Sequence, residues 1–133
     1  MAYVLDTNVC IRYLNGRAPR IRENLKQRRP EEIKVCSVVK GELFAGALRS
    51  TDPARTLARQ QEFLSLFDSL PFDDRAADVY GRVRAHLEAA GTPIGPYDLQ
   101  IAAITLAHGL TLVTHNTGEF GRVPGLVTED WEL

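Results

Sequence analysis

Tyr3-Val4-Leu5-Asp6-Thr7-Asn8 is the stretch that decides the fold. A short apolar run ends on an acid and passes at once into the helix-like segment Val9 to Leu14, which reads as a buried strand delivering a carboxylate to a helix start. In open α/β sheets, chemistry gathers where strands end and helices begin. A lone Asp before a helix is also what a simple N-cap looks like, so Asp6 gains meaning only from what joins it.

Outward from that junction the same alternation repeats. Gly16 to Pro19 break the pattern, and Arg20 to Arg29 resume it as a short basic helix with Ile21 and Leu25 on one face. Pro30-Glu31-Glu32 reads as a loop, Ile33 to Ser37 as a second strand, and Val38 to Leu48 as a packed helix. Thr51-Asp52-Pro53 opens an amphipathic helix to about Phe67, and Leu70 to Phe72 is predicted as a brief third strand. Asp73 or Asp74 caps a helix that Gly91 ends, and Gly95-Pro96 starts another, Tyr97 to His108, closed by Gly109. Leu110 to Thr114 reads as a strand, Asn116 to Phe120 as a loop or single helical turn, and Leu126-Val127 as a last strand before the acidic tail around Trp131. Strands alternating with helices predict a three-layer α/β/α sandwich with a mostly parallel central sheet. With no linker or repeat, residues 1–133 are expected to form one domain.

Composition narrows the function. The chain has 133 residues, 44% hydrophobic and 25% charged, which suits a globular core, and no apolar run approaches the ~20 residues that span a bilayer. No signal-like segment precedes the first strand, so a cytoplasmic location is expected. Cys10 and Cys36 sit in apolar segments without zinc-type spacing and read as small buried hydrophobes. The net charge of -1 argues against a uniformly basic nucleic-acid binder. The charge is uneven, however. Residues 1–29 carry seven bases against two acids, which suits a solvated helix face or a phosphate-tracking surface equally.

Two further acids occupy positions comparable to that of Asp6. Glu42 lies in the helix after strand two, among Gly41, Ala45 and Gly46, whose small side chains allow close approach, while Asp98 lies in the first turn after Gly95-Pro96. Each acid is ambiguous singly. A parallel sheet would gather all three along one edge, and crowded carboxylates raise one another's pKa and cost stability unless a cation neutralises them. All-oxygen ligands select Mg²⁺ or Mn²⁺, and Mg²⁺ is usually held by one or two carboxylates plus substrate phosphate.

Through these residues the chain resembles the VapC toxins of the PIN-domain ribonuclease family over essentially its whole length. The resemblance rests on Asp6-Thr7-Asn8, on Ser37 to Leu43 around Glu42, on Gly95 to Ala103 around Asp98, on Val113 to Phe120, and on the tail Val123 to Trp131. It implies that Asp6, Glu42 and Asp98 bind the metal and carry catalysis, with Asn8 and Thr114 as polar supports. Many PIN domains place a fourth acid where this chain has Asn116, so a second metal is in doubt and Glu119, one turn later, could supply the missing charge. His115 reads as an incidental loop residue that could touch RNA.

The resemblance further implies an endoribonuclease toxin of a type II toxin-antitoxin system, a cognate VapB-type antitoxin covering the acid site, and a homodimer. Structured RNA such as a tRNA anticodon loop is the implied substrate, with initiator tRNA the first to test. Arg12, Arg17, Arg20, Lys40 and Arg49 are expected to contact RNA phosphates. The alternatives are a degenerate PIN module that binds RNA or protein without cleavage, which Asn116 keeps open, and a haloacid-dehalogenase-like phosphatase. The latter needs a second Asp two residues after the first, where Asn8 stands.

Overall fold

The computed structural model describes all 133 residues. Five strands, β1 (Tyr3–Leu5), β2 (Ile33–Cys36), β3 (Asp68–Leu70), β4 (Thr111–Val113) and β5 (Val127–Glu129), form one sheet in the order β3-β2-β1-β4-β5. Every pair is parallel, so the expectation of a mostly parallel sheet sharpens to a wholly parallel one. Seven α-helices connect them: α1 (Thr7–Leu14), α2 (Pro19–Lys26), α3 (Ser37–Leu48), α4 (Pro53–Leu64), α5 (Asp74–Ala89), α6 (Pro96–Ala107) and α7 (Thr117–Phe120). Pro30–Glu32 is a single 3₁₀ turn rather than a loop.

The central strands are apolar because helices cover both sheet faces. All three residues of β1 and all three of β4 are buried. One apolar cluster runs from Tyr3 to Trp131 and takes in Val35, Cys36, Leu43, Ile101 and Leu112. Helix α6 lies deepest among the helices, with Leu99 and the run Ile101 to Thr105 all buried, and Thr105 satisfies its hydroxyl by donating to the Ile101 carbonyl at 2.8 Å. Both cysteines are free and buried, as expected, and burial pushes the Cys36 thiol up to about 11. No helix is long and apolar enough to cross a membrane.

The edges depart from the sequence pattern. Strand three is Asp68–Leu70, not Leu70–Phe72, and pairs Lys34 with Asp68 and Cys36 with Leu70. Pro71 has no N–H to extend a ladder, so the strand stops before it, and Phe72 packs edge-on against Tyr80 instead. A short charged strand is how an exposed sheet edge avoids further pairing, and Asp68 answers Lys34 at 2.9 Å. The last strand begins at Val127 rather than Leu126, in register with Thr111.

Strand order places the site. From β1 the chain moves outward through β2 to β3, then returns to β4 on the other side of β1. Connections thus diverge between β1 and β4, the topological switch point where ligands bind in open parallel sheets, beyond the carboxyl ends of the strands. Asp6 follows β1 and Thr114 follows β4, so they share that crevice.

Candidate active site

Asp6 is both cap and pocket acid. Its Oδ1 accepts from the Thr7 N–H at 2.7 Å, which closes the first turn of α1, and its Oδ2 accepts from the Thr114 hydroxyl at 2.8 Å. Asp6 is only 4% exposed and Thr114 is wholly buried. Burial raises the Asp6 carboxyl above its ordinary range, the two donors oppose this, and Glu42 and Glu119 add to it by like-charge repulsion. Each Asp6 oxygen has one protein donor, which leaves a lone pair on each for a cation.

Glu42 reaches the same region from α3. Its Oε1 accepts from the Thr7 hydroxyl at 2.7 Å, so Thr7 ties two acids together, through its backbone N–H to one and its side chain to the other. Asp98 enters from the first turn of α6. Its carboxyl is pushed up to about 7, chiefly by burial and then by the charges of Asp6, Glu119 and Glu42. The acids predicted to meet therefore share one electrostatic field, although their donor atoms do not all fall within 4.8 Å of one another.

Glu119 also belongs to this set. Its Oε1 accepts from the Gly95 N–H at 3.0 Å and its Oε2 from the Asn116 side-chain amide at 2.8 Å. Asp98 Oδ2 and Glu119 Oε1 both lie 3.9 Å from the point where a side chain on Gly95 would begin. Burial and the charges of Asp6 and Glu119 raise Asp98, whereas the Gly95 N–H and the Asn116 amide hold Glu119 below its usual range. Asn116, the neutral substitute for a fourth acid, thus orients an acid one turn later, while its backbone N–H donates to Thr114 at 3.0 Å.

Asp6 opens into a hollow of about 530 Å³ with no apolar lining residue, bounded also by Asn8, Arg12, His115, Asn116 and Glu132. Glu42 lines a second hollow with Gly41, Arg49, Tyr97 and Gln100. Of the bases expected to bind RNA, Arg12 and Arg49 stand at these hollows, and Arg12 is paired with Glu132. Lys40 is half-buried on α3, whereas Arg17 and Arg20 are exposed and line neither hollow. The basic segment is therefore not one continuous phosphate track. Arg28 stacks over Tyr3 and Trp131, with its guanidinium 4.8 and 4.4 Å from the ring centres, and Arg29 faces Glu31 and Glu32.

Sequence reasoning missed Thr7 as a bridge and the tail acids Asp130 and Glu132 as pocket-side groups. The only signal was an acidic tail around a tryptophan, which says nothing of where the tail docks.

A cluster of acids at the switch point of a parallel sheet, open to solvent beside arginines, defines the class as an α/β nuclease of the acid-cluster type. The chain belongs to the PIN-domain family, whose profile matches residues 3–126, and its full-length relatives are VapC ribonucleases. It is 42% identical over 133 residues, 98% of both chains, to the tRNA(fMet)-specific endonuclease VapC of Shigella flexneri. It is 35% identical, over 99% of both chains, to ribonuclease VapC2 of Rickettsia felis. Among solved structures, the DNA-bound VapBC complex of Salmonella typhimurium superposes with a TM-score of 0.93 at 39% identity, covering 98% of both chains. PIN nucleases are in general metal-dependent, and the donor set here, carboxylates whose ionisation is opposed by burial and mutual repulsion, fits a hard divalent cation.

Proposed function

We propose that this chain is the toxin of a toxin–antitoxin pair and hydrolyses RNA phosphodiesters at the acid cluster of Asp6, Glu42 and Asp98, with Mg²⁺ as the ion and Mn²⁺ as a substitute. The observation that carries this reading is Asp6 itself. It is a nearly inaccessible carboxylate at the switch point, fixed by two donors and lying in the field of Glu42, Asp98 and Glu119. Such crowding costs stability in an isolated fold and becomes favourable once a cation is bound.

Asp6, Glu42 and Asp98 would hold the ion, which would supply Lewis-acid activation of the attacking water and of the scissile phosphate. The protein's part is positioning. The Thr114 hydroxyl and Thr7 N–H fix both Asp6 oxygens, and the Thr7 hydroxyl aims Glu42. Asp98 would bind the cation as its carboxylate, and the cation's charge would oppose the burial that raises it. Glu119, anchored by Gly95 and Asn116, provides the negative charge that a fourth acid would bring. Arg12 at the mouth of the Asp6 hollow is suited to a phosphate oxygen of the RNA chain. Geometry of this kind is worth most when the reacting groups are held in place before substrate arrives.

The Shigella and Salmonella relatives carry the name tRNA(fMet)-specific endonuclease, which makes initiator tRNA the first substrate to test. Solved relatives are VapBC complexes, two of them on DNA, and by that likeness the partner is a VapB-type antitoxin. The test is to map RNA ends after incubating total RNA with the wild-type and Asp6→Ala proteins in Mg²⁺. New ends bearing 5′-phosphate and 3′-hydroxyl groups, absent with Asp6→Ala, are expected. A 2′,3′-cyclic phosphate, or equal cleavage by both proteins, would refute the mechanism.

A further inference from the structure

The tightest set of metal-type donors in the chain is not the acid pocket. His115, Asp130 and Glu132 each bring a ligand atom to within 4.8 Å of the others. Their meeting follows from strand register. His115 is the second residue after β4 and Asp130 the first after β5, and these parallel neighbours pair Val113 with Glu129 while the Thr114 N–H donates to the Glu129 carbonyl. Trp131 anchors the tail by packing edge-on against Tyr3, beneath Arg28 and with its indole N–H bonded to Glu129 at 2.9 Å. Asp130 and Glu132, two residues apart around that anchor, are thereby held in place.

Each carboxylate is nine-tenths buried. The side chains of Asp130 and Glu132 are both 9% exposed. Each Asp130 oxygen has one partner, Oδ1 accepting from the Glu132 N–H at 2.9 Å and Oδ2 lying 2.8 Å from His115 Nδ1, which leaves a lone pair on each. Glu132 differs. Its Oε1 pairs with Arg12, but Oε2 is buried with no partner at all, which for a carboxylate oxygen is costly unless something positive completes it.

We propose that His115, Asp130 and Glu132 form a second cation site, separate from the three-acid pocket, for a transition metal of the Zn²⁺ class at the rim of the Asp6 hollow. One imidazole and two carboxylates are the ligand mixture that such ions prefer over Mg²⁺. An ion about 2.1 Å from each donor needs them roughly 3–3.5 Å apart, so the His115–Asp130 pair, now at 2.8 Å, opens slightly as the exposed imidazole rotates, and the Glu132 carboxylate turns towards them. The exposed His115 side chain leaves the site open to solvent on that side. A cation there stands beside Arg12 at the mouth of the hollow and adds positive charge where an RNA phosphate would enter.

The test is Zn²⁺ calorimetry on the full chain carrying Asp98→Ala, so that the acid pocket is disabled whatever its role. About one equivalent is expected to bind, and adding His115→Gln or Glu132→Gln is expected to weaken that binding at least tenfold. His115 is exposed and Gln keeps an acceptor for Arg12, so neither change removes a core contact. No uptake by the Asp98→Ala chain, or uptake that neither substitution alters, would overturn the site. Neither result bears on RNA cleavage in Mg²⁺, which the end-mapping experiment judges.

Discussion

The acid pocket and the basic segment 1–29 begin in the same stretch of chain yet are built on opposite principles. Asp6 hangs from a buried strand, is locked by Thr7 and Thr114, and has no freedom to be elsewhere. The bases are dispersed: Arg28 is spent on two aromatic rings, Arg29 on Glu31 and Glu32, Arg12 on Glu132, while Arg17 and Arg20 point into solvent. Charge delivered by buried backbone is precise and hard to replace. Charge delivered by exposed helices is interchangeable, and its effects should be small and additive.

The sharpest way to break that contrast is at Thr114. Thr114→Val keeps the shape but leaves a buried carboxylate without one of its two donors, which should cost about 1.5–3 kcal/mol at neutral pH by chemical denaturation. Asp6 would also rise further, so the acid limb of the pH–activity profile should move to higher pH. An unchanged profile would mean that Thr114 does not support Asp6.

Asp98 gives the next effect, and its sign is opposite to that of most carboxylates. Its folded-state value of about 7 lies above the unfolded 3.8, so the folded chain binds the extra proton between those values. Stability without divalent ions is then greatest below the unfolded value and falls as pH rises towards 7. Asp98→Asn should remove that slope and raise stability in EDTA above pH 7 by roughly 1–2 kcal/mol, a figure discounted because the side chain is partly exposed. Thermal melts at several pH values check this, and a parallel loss of stability at every pH would contradict it.

The smallest effects belong to the bases. Arg28→Ala should cost about 0.5–1 kcal/mol through its lost ring contacts and leave cleavage unchanged. Arg20→Ala should leave stability within ~0.5 kcal/mol and, if Arg20 meets a phosphate, lower the slope of log affinity against log salt by about one. A large loss of cleavage in Arg20→Ala would erase the distinction between the two regions.

What could be read from the sequence follows the same division. Strands β1, β2 and β4 are legible because burial on both faces makes them plainly apolar, and Asp6, Glu42 and Asp98 stand out as candidates because each sits at a junction or helix start that parallel topology gathers. Edge strand β3 was misplaced by two residues because Asp68 and Ser69 are exposed and carry no hydrophobic period. Thr7's bridge to Glu42 and the docking of Asp130 and Glu132 beside His115 depend on pairings between distant segments, which no local pattern encodes. The fate of Arg28 was hidden for the same reason, since its ring partners come from β1 and the C-terminal tail.

The central claim, that Asp6, Glu42 and Asp98 serve one divalent ion, is tested most directly by a crystal structure of the protein grown in Mn²⁺ with anomalous diffraction recorded. An anomalous peak between Asp6 and Asp98, bounded by Glu42 and lost in Asp6→Ala crystals, is the predicted result. A millimolar Mn²⁺ soak that leaves this pocket without a peak would contradict the account.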